Sequence, residues 1–435
     1  MQAIRKFFEF EKHKTNFKTE FLAGLTSFIT MAYVMIVNPK ILSAAGMDFG
    51  ASITATILIT FVGCLLMGFY AKLPMAVAPY MGENAFIAYV VVLSLGISWQ
   101  IALGCVFLAG AFFFILTALN IRSWLVNSMP KNLKYSFSVG LGLFLTFLGL
   151  LQTGIIRPNG TGAPLHVGNL SEPTVILALL GFFIIAFLMV KKVKAAILIG
   201  ILSITILAII LGYEKIPESI FSAPPSLEPL LGKMDIAGAL KFENLYIVFI
   251  LFIMVYVDTM GTLIGTSYRA GLLDENGNLP DINKPMYCDA ATTMLAGFVG
   301  TTTSGAYLES ATGIEAGGKS GLTAITVGCL FLLGLFFAPL FQLVPPYAYG
   351  PALLIVGMLM ISTIKEINFE DMSEFIPAFC TIILMVFTYN IGIGMAAGFA
   401  LYPILKLISG KNKDNNPAIW ILCVLSLIFF ALYPY

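Results

Sequence analysis

Charge is scarce in this sequence: Asp, Glu, Lys and Arg make up 11% of its 435 residues, against 59% hydrophobic ones. Soluble domains carry roughly 25% charged residues, so a water-exposed globule is excluded and lipid must cover the excess apolar surface. Histidine is scarcer still, with only His13 and His166, both in polar stretches. No imidazole is available inside an apolar segment to relay a proton or ligate a metal, so an intramembrane proton must use carboxylates. The six cysteines, Cys64, Cys105, Cys288, Cys329, Cys380 and Cys423, are scattered singly. Without paired spacing they make no metal or redox motif and read as small core residues. A cleavable leader is also missing, because residues 1–20 are polar, carry five basic side chains and precede the first apolar run. That places the N-terminus in the cytoplasm.

What is abundant is apolar length. Runs of the 17 to 25 or so residues that cross a bilayer recur from Phe21 onward, punctuated by Pro and Gly. They place spans near 21–37, 53–71, 75–95, 100–120, 134–154, 173–190, 194–212, 244–268, 286–300, 301–318, 321–343, 348–363, 374–388 and 391–408. A last apolar run, 417–433, is either a further crossing or an interfacial hairpin. With this assignment 19 of the 24 basic residues fall on the inner side, as the positive-inside rule requires. Residues 1–14 and 121–133, with Phe7, Phe8, Phe10 and Trp124 beside basic residues, read as interfacial helices. The longest outer loop, 213–243, divides seven spans from seven and points to a duplicated, inverted unit. The fold class is an all-α polytopic membrane protein of about 14 transmembrane segments in two inverted repeats of seven.

Two of these spans are irregular. Span three contains Pro74, Pro79, Gly82, Glu83 and Asn84, and span ten runs through Gly300, Thr303, Gly305, Glu309 and Gly313. Neither can be one continuous helix, and each is centred on an acid. Interrupted segments at matching places in two halves mark a transporter's midplane site. Each is expected to be a short strand, near 76–80 and 301–307, followed by a half-helix. A third acid, Asp258, lies in the middle of apolar span eight. Burying it there costs about 2.5 to 3.5 kcal/mol even on the insertion scale, which makes it a functional candidate and the leading proton holder. The bland alternatives are a structural acid bonded to Thr259 or Thr262, a helix cap for Glu309, and a structural or gating role for Glu83. Gly261 and Gly265 read as a helix-packing pair.

Four motifs carry a family resemblance over essentially the whole chain: Thr26-Ser-Phe-Ile-Thr-Met-Ala-Tyr-Val-Met-Ile-Val-Asn-Pro39, Ala78-Pro-Tyr-Met-Gly-Glu-Asn-Ala-Phe86, Val257-Asp-Thr-Met-Gly-Thr-Leu-Ile-Gly265, and Tyr307-Leu-Glu-Ser-Ala-Thr-Gly313 with Ala316-Gly-Gly-Lys-Ser-Gly-Leu-Thr323. In order and spacing they resemble the AzgA-like branch of the nucleobase–ascorbate transporter superfamily. The resemblance implies a core domain (21–120 and 244–343), a gate domain (134–212 and 348–408) and usually a homodimer. It implies that Asp258 and Glu309 hold the base, with Asn84 a polar contact from span three, Leu308 and Ala85 beside them, and Thr262 and Thr303 in support. Thr262 stands where some relatives use a histidine in proton coupling, so that role passes to Asp258, Glu309 or Glu83. The chain departs from the branch at Tyr80, where Gly is usual, and at Glu83, where Leu is usual; Gly305 and Ala306 stand where hydroxyls are expected.

The function so implied is secondary active import of purine nucleobases (adenine, guanine, hypoxanthine) across the cytoplasmic membrane. The coupling ion is H⁺ or, alternatively, Na⁺, and the core moves against the gate like an elevator. A carboxylate suits this ligand, since it accepts two adjacent N–H donors of a purine edge. The expected partners are the base, the ion, membrane lipid and a second copy, with no cofactor, metal or nucleic acid. Uracil, xanthine or another small substrate on the same fold is the runner-up. A channel and an intramembrane aspartyl protease are more remote, the protease because no Gly-x-Gly-Asp is present to supply its second aspartate.

Overall fold

A computed structural model describes residues 2–119, 130–158, 165–215, 219–272, 279–411 and 415–432. The expected interfacial stretch around Trp124 lies outside them. Among the described residues nine helices are long and apolar enough to cross a membrane, and Met81–Ser94, Ala196–Ile210, Met372–Phe387 and Pro417–Ile428 are shorter apolar helices. The last run is a single helix, Pro417–Leu432, rather than a hairpin. The chain divides into two compact units, one of residues 1–117 and 184–345, the other of 118–183 and 346–435. Residues 184–212 group with the first unit.

The first unit starts from capped helices. Helix α1 (Phe17–Met31) opens on Asn16, whose side chain accepts the Thr19 N–H at 3.0 Å, and α2 (Val34–Ala44) follows almost directly. Helix α3 (Phe49–Leu66) opens on Asp48, which accepts the Ala51 N–H at 2.7 Å. Each cap satisfies a donor that the first helical turn leaves open. The chain then extends as β1 (Val77–Pro79), turns into the short helix α4 (Met81–Ala85) and continues in wider π-type turns to Ser94. In the second half, the long helix α5 (Leu245–Ala270) and α6 (Asn283–Val299) precede β2 (Ser304–Ala306), the short helix α7 (Ser310–Glu315) and α8 (Gly321–Leu333).

β1 and β2 form an antiparallel pair with Val77 opposite Ala306, Ala78 opposite Gly305 and Pro79 opposite Ser304. The pairing runs one step further at each end, through Tyr80 N–H to Thr303 O at 3.0 Å and Tyr307 N–H to Ala76 O at 2.9 Å. Extended backbone far from water must find all its partners in protein, and here each strand supplies the other's. Thr293 on α6 brackets Ser304, donating its hydroxyl to the carbonyl at 2.9 Å and accepting the N–H at 3.2 Å. Gly305 has no alternative at its position, because a Cβ there would strike the Tyr80 hydroxyl and lie 2.8 Å from Asp289 Oδ2. The start of α8 is pinned by a fully buried acid, Glu20 of α1, which accepts the N–H groups of Lys319 and Ser320 and the hydroxyl of Thr323.

In the second unit, helix Lys131–Gln152 packs on Pro346–Ile361 through small residues: a Cβ at Gly142 would lie 2.7 Å from the Gly357 carbonyl oxygen. Such close approach is how helices associate where lipid removes the hydrophobic drive. At the Met372 end of helix Met372–Phe387, Lys406 pairs with Glu374 at 2.7 Å and Lys411 with Asp371 at 2.7 Å.

Candidate functional site

The strand pair brings residues far apart in sequence to one polar centre inside the first unit. Tyr80 follows β1 and Tyr307 follows β2, and their rings stack with centroids 6.0 Å apart and planes 7° from parallel. Tyr307 donates its hydroxyl to Pro79 O. Around the two rings stand four acids. Tyr307 lies within electrostatic reach of Glu309, Glu83 and Asp258, and Tyr80 within reach of Asp289, Asp258 and Glu83.

Glu309 occupies the N-cap position of α7, yet its side chain caps nothing. Its carboxylate instead accepts the Tyr33 hydroxyl from the α1–α2 junction at 2.8 Å. Beside it Leu308 is 57% exposed, so this end of the site faces open space. Asp258, midway along α5, is half-buried, and Glu83 on α4 is fully buried with neither carboxyl oxygen hydrogen-bonded among the described residues. Asp258 is not tied up by its neighbour, because the Thr259 hydroxyl goes to Asp289 Oδ2 at 3.0 Å. Thr262 is buried, and its carbonyl accepts the hydroxyl of Thr266. Thr303 lends its backbone to the strand pairing while its buried hydroxyl finds no protein partner.

The span-three residues point inward. Asn84 and Ala85 are fully buried, and the Asn84 amide donates to Asn38 Oδ1 on α2. Asn38 in turn donates to Thr56 at 2.7 Å and Thr301 at 3.2 Å. Asn84 thus belongs to a polar seam between α2, α3 and α4, with its own Oδ1 left unpaired.

Gly261 and Gly265 correct an expectation. Among the described residues a Cβ at Gly261 would meet nothing within 4 Å, and one at Gly265 only Leu308 Cδ2 at 4.0 Å, so neither makes room there for a close helix contact. Mid-helix glycine costs about 1 kcal/mol relative to alanine, and here no packing offsets that cost. The bare backbone is one and two turns along α5 from Asp258.

Reading the residues alone missed Asp289. It is fully buried on α6 and holds the site together, accepting the Ala306 N–H of β2 at 3.1 Å and the Thr259 hydroxyl, itself 3.3 Å from the Tyr80 hydroxyl. The signal was available: an acid inside an apolar helix is a functional candidate by the same rule that singled out Asp258. Asp289 lies only three residues into the expected span 286–300, near its end rather than at mid-depth. Tyr33 and Asn38 carried no comparable signal.

The signature of the permease family matches residues 18–431. The chain belongs to that family. This permease is 40% identical to adenine permease AdeQ of Escherichia coli, over 97% of its own length and 95% of the relative's. It is 37% identical to guanine/hypoxanthine permease PbuG of Bacillus subtilis, over 98% and 99% respectively. Its fold is that of the transmembrane domain of the cyanobacterial bicarbonate transporter BicA, with a TM-score of 0.64 at 18% identity, covering 87% of this permease and 96% of that domain. The architecture is therefore a mostly helical, multi-pass membrane transporter, as the resemblance implied.

Proposed function

We propose that this permease imports purine nucleobases, namely adenine, guanine and hypoxanthine, across the cytoplasmic membrane by proton symport. Its N-terminus is cytoplasmic, its chain makes 14 crossings in two inverted repeats, and it works as a homodimer. Residues 21–120 and 244–343 are the core that carries the base, and residues 134–212 and 348–408 the gate against which it moves. The observation that carries this reading is the pairing of β1 with β2 beside four acids, in a chain close to permeases for adenine and for guanine and hypoxanthine.

Asp258 and Glu309 are the acceptors for the base's N–H groups. Both are acids without a salt-bridge partner among the described residues. A charge-assisted bond to such a carboxylate is roughly twice as strong as a neutral one. The open backbone at Gly261 and Gly265 gives a flat ring a surface on which to lie, with Leu308 as an apolar edge. Thr262 and Thr303 support the acids, and Asn84 and Ala85 shape the pocket from span three. Coupling falls to the carboxylates Asp258, Glu309 and Glu83. Uptake of labelled adenine, guanine, hypoxanthine and uracil in a permease-deficient host, with and without a protonophore, tests the reading. Purine uptake abolished by the protonophore is expected; uptake of uracil alone, or none, rejects it.

A further inference from the structure

Glu20, at the start of α1, is a fully buried acid that the transport site does not use. Its Oε1 accepts the Lys319 N–H at 3.1 Å, and its Oε2 accepts the Ser320 N–H at 3.2 Å and the Thr323 hydroxyl at 2.6 Å. All three donors belong to the Ala316–Thr323 motif, which joins α7 to α8. Capping alone does not account for this arrangement, because Ser320 already caps α8 from within, its hydroxyl oxygen accepting the Leu322 N–H at 3.4 Å. A carboxylate brought from 300 residues away ties two segments together instead.

The tie continues as a column of contacts along α1. Glu20, Ala23, Ser27 and Thr30 follow at helical spacings of three and four, so they share a face. Tyr33 comes next, at the α1–α2 junction. Opposite them stand Gly318, Gly313, Thr312 and Glu309. A Cβ at Gly318 would lie 2.9 Å from that of Ala23, and one at Gly313 would strike Ser27 Oγ and lie 2.5 Å from the Ala23 carbonyl oxygen. The Thr30 and Thr312 hydroxyls are 2.8 Å apart, and the column ends on the Tyr33 hydroxyl, which donates to Glu309 at 2.8 Å. Such close packing leaves α7 no slack in which to slide along α1. α7 needs this hold, because its six residues are too few to be a stable helix by themselves. Gly317 and Gly318 offer no side chain to fix the turn behind it. Its first end is fixed by β2 and Tyr33, and its last end by Glu20 through that turn.

We propose that Glu20 is a positioning residue for the base: by holding the Lys319–Thr323 turn, it sets where α7 lies on α1 and so where Glu309 presents its acceptor, roughly 20 Å away along the helix. This rests on reading Glu309 as an acceptor for the purine. Glu20 itself touches no ligand. A site carried on a short half-helix is only as accurate as the residues that support it, and a hydrogen bond is weakened by a shift of under an ångström.

The test measures purine binding to the purified full chain, beside disulfide formation between Thr30→Cys and Thr312→Cys, which place two thiols where the hydroxyls now meet. Glu20→Gln keeps the size but turns an N–H toward a backbone N–H, and should weaken base affinity about threefold to thirtyfold. In a Tyr33→Phe background the same change should cost less than about twofold, because both act through Glu309. The disulfide should form several times more slowly in the presence of Glu20→Gln, since that bond tolerates little displacement. Glu374→Ala, which disturbs an ion pair in the other unit, should leave both readouts unmoved. Where Glu20→Gln does not fold, Thr323→Val removes a single donor and should weaken binding in the same direction, with Thr323→Ser restoring it. Unchanged affinity, losses that multiply across the two backgrounds, an unaltered disulfide rate, or equal losses in Glu374→Ala each overturn the proposal. A wild-type chain that binds no purine rejects the reading of Glu309, and the disulfide rate then decides by itself whether Glu20 sets the place of α7.

Discussion

Two groups of acids, one in each unit of this permease, are treated in opposite ways. In the first, Glu83, Asp258, Asp289 and Glu309 gather around two tyrosines, with hydroxyls and a backbone N–H as partners but no cation in an ion pair among the described residues. In the second, Glu374 and Asp371 are held by Lys406 and Lys411. A paired acid has its charge compensated within the fold and contributes to stability. An acid without a cation has to be met by hydrogen-bond donors, as Asp289 is, or by a proton or a ligand, and in the last two cases its energy is available for function. Neutralising Asp258 or Glu309 should therefore change transport and spare stability, and neutralising Glu374 or Asp371 should do the reverse.

The largest effect that would sharpen this contrast is expected at Glu374. Lys406 is buried, its side chain only 3% exposed, and Glu374 also accepts the Tyr402 hydroxyl at 2.8 Å. Glu374→Ala should cost about 3 kcal/mol, the lower end for breaking a buried pair, because Asp371 remains 3.7 Å from Lys406. The thermal midpoint of purified protein should fall while base affinity in the folded fraction is unchanged. A variant with wild-type stability and weakened base binding would break the comparison.

Glu309→Gln comes next. The amide keeps the size but presents an N–H where the base also donates, and losing a hydrogen bond to a charged group costs about 1.5 to 3 kcal/mol. Affinity should drop between tenfold and a few hundredfold with the melting temperature unmoved. Undiminished binding by this variant would remove Glu309 from the site. Smaller again is Tyr33→Phe, which removes the donor to Glu309 without touching the base. About 1 kcal/mol, or five- to tenfold in affinity, is expected; equal loss in Tyr33→Phe and Glu309→Gln would mean that the tyrosine itself contacts the ligand.

The smallest effect concerns acid pH. The Lys411 ammonium and the Ser373 hydroxyl and N–H hold the Asp371 carboxyl well below the usual carboxylate range. A depressed folded value means that its contribution is full above the unfolded value near 3.9 and is lost as pH falls through the folded one. Between pH 5 and 8 this group should leave the thermal midpoint flat, with its loss appearing below about pH 4. Asp371→Ala also removes a helix cap and should cost about 1 kcal/mol at neutral pH. A variant that melts like wild type at pH 7 would show that Lys411 and Ser373 add nothing to stability.

The interrupted spans were legible because proline, glycine and an acid are each out of place in lipid, so their coincidence near Glu83 and Glu309 could mean little else. The order of the apolar runs was legible for the same reason, as lipid punishes polar interruption wherever it falls. Three features were not. The swap of Thr259 from Asp258 to Asp289 follows from which face of α5 meets α6. The inward turn of Asn84 depends on Asn38, 46 residues away. The open backbone of Gly261 looks, in sequence, identical to a packing motif.

What the sequence determined alone was therefore one-dimensional: which stretches lie in lipid, where they break and which acids lie within them, since transfer free energy is summed residue by residue along the chain. What each of those acids touches was decided only by tertiary structure. The pairing of β1 with β2 brings span three beside span ten, and the approach of α6 sets the bonds of Asp289. A hydrogen bond depends on distances of a few tenths of an ångström between atoms from different segments, and no local property of either segment encodes them.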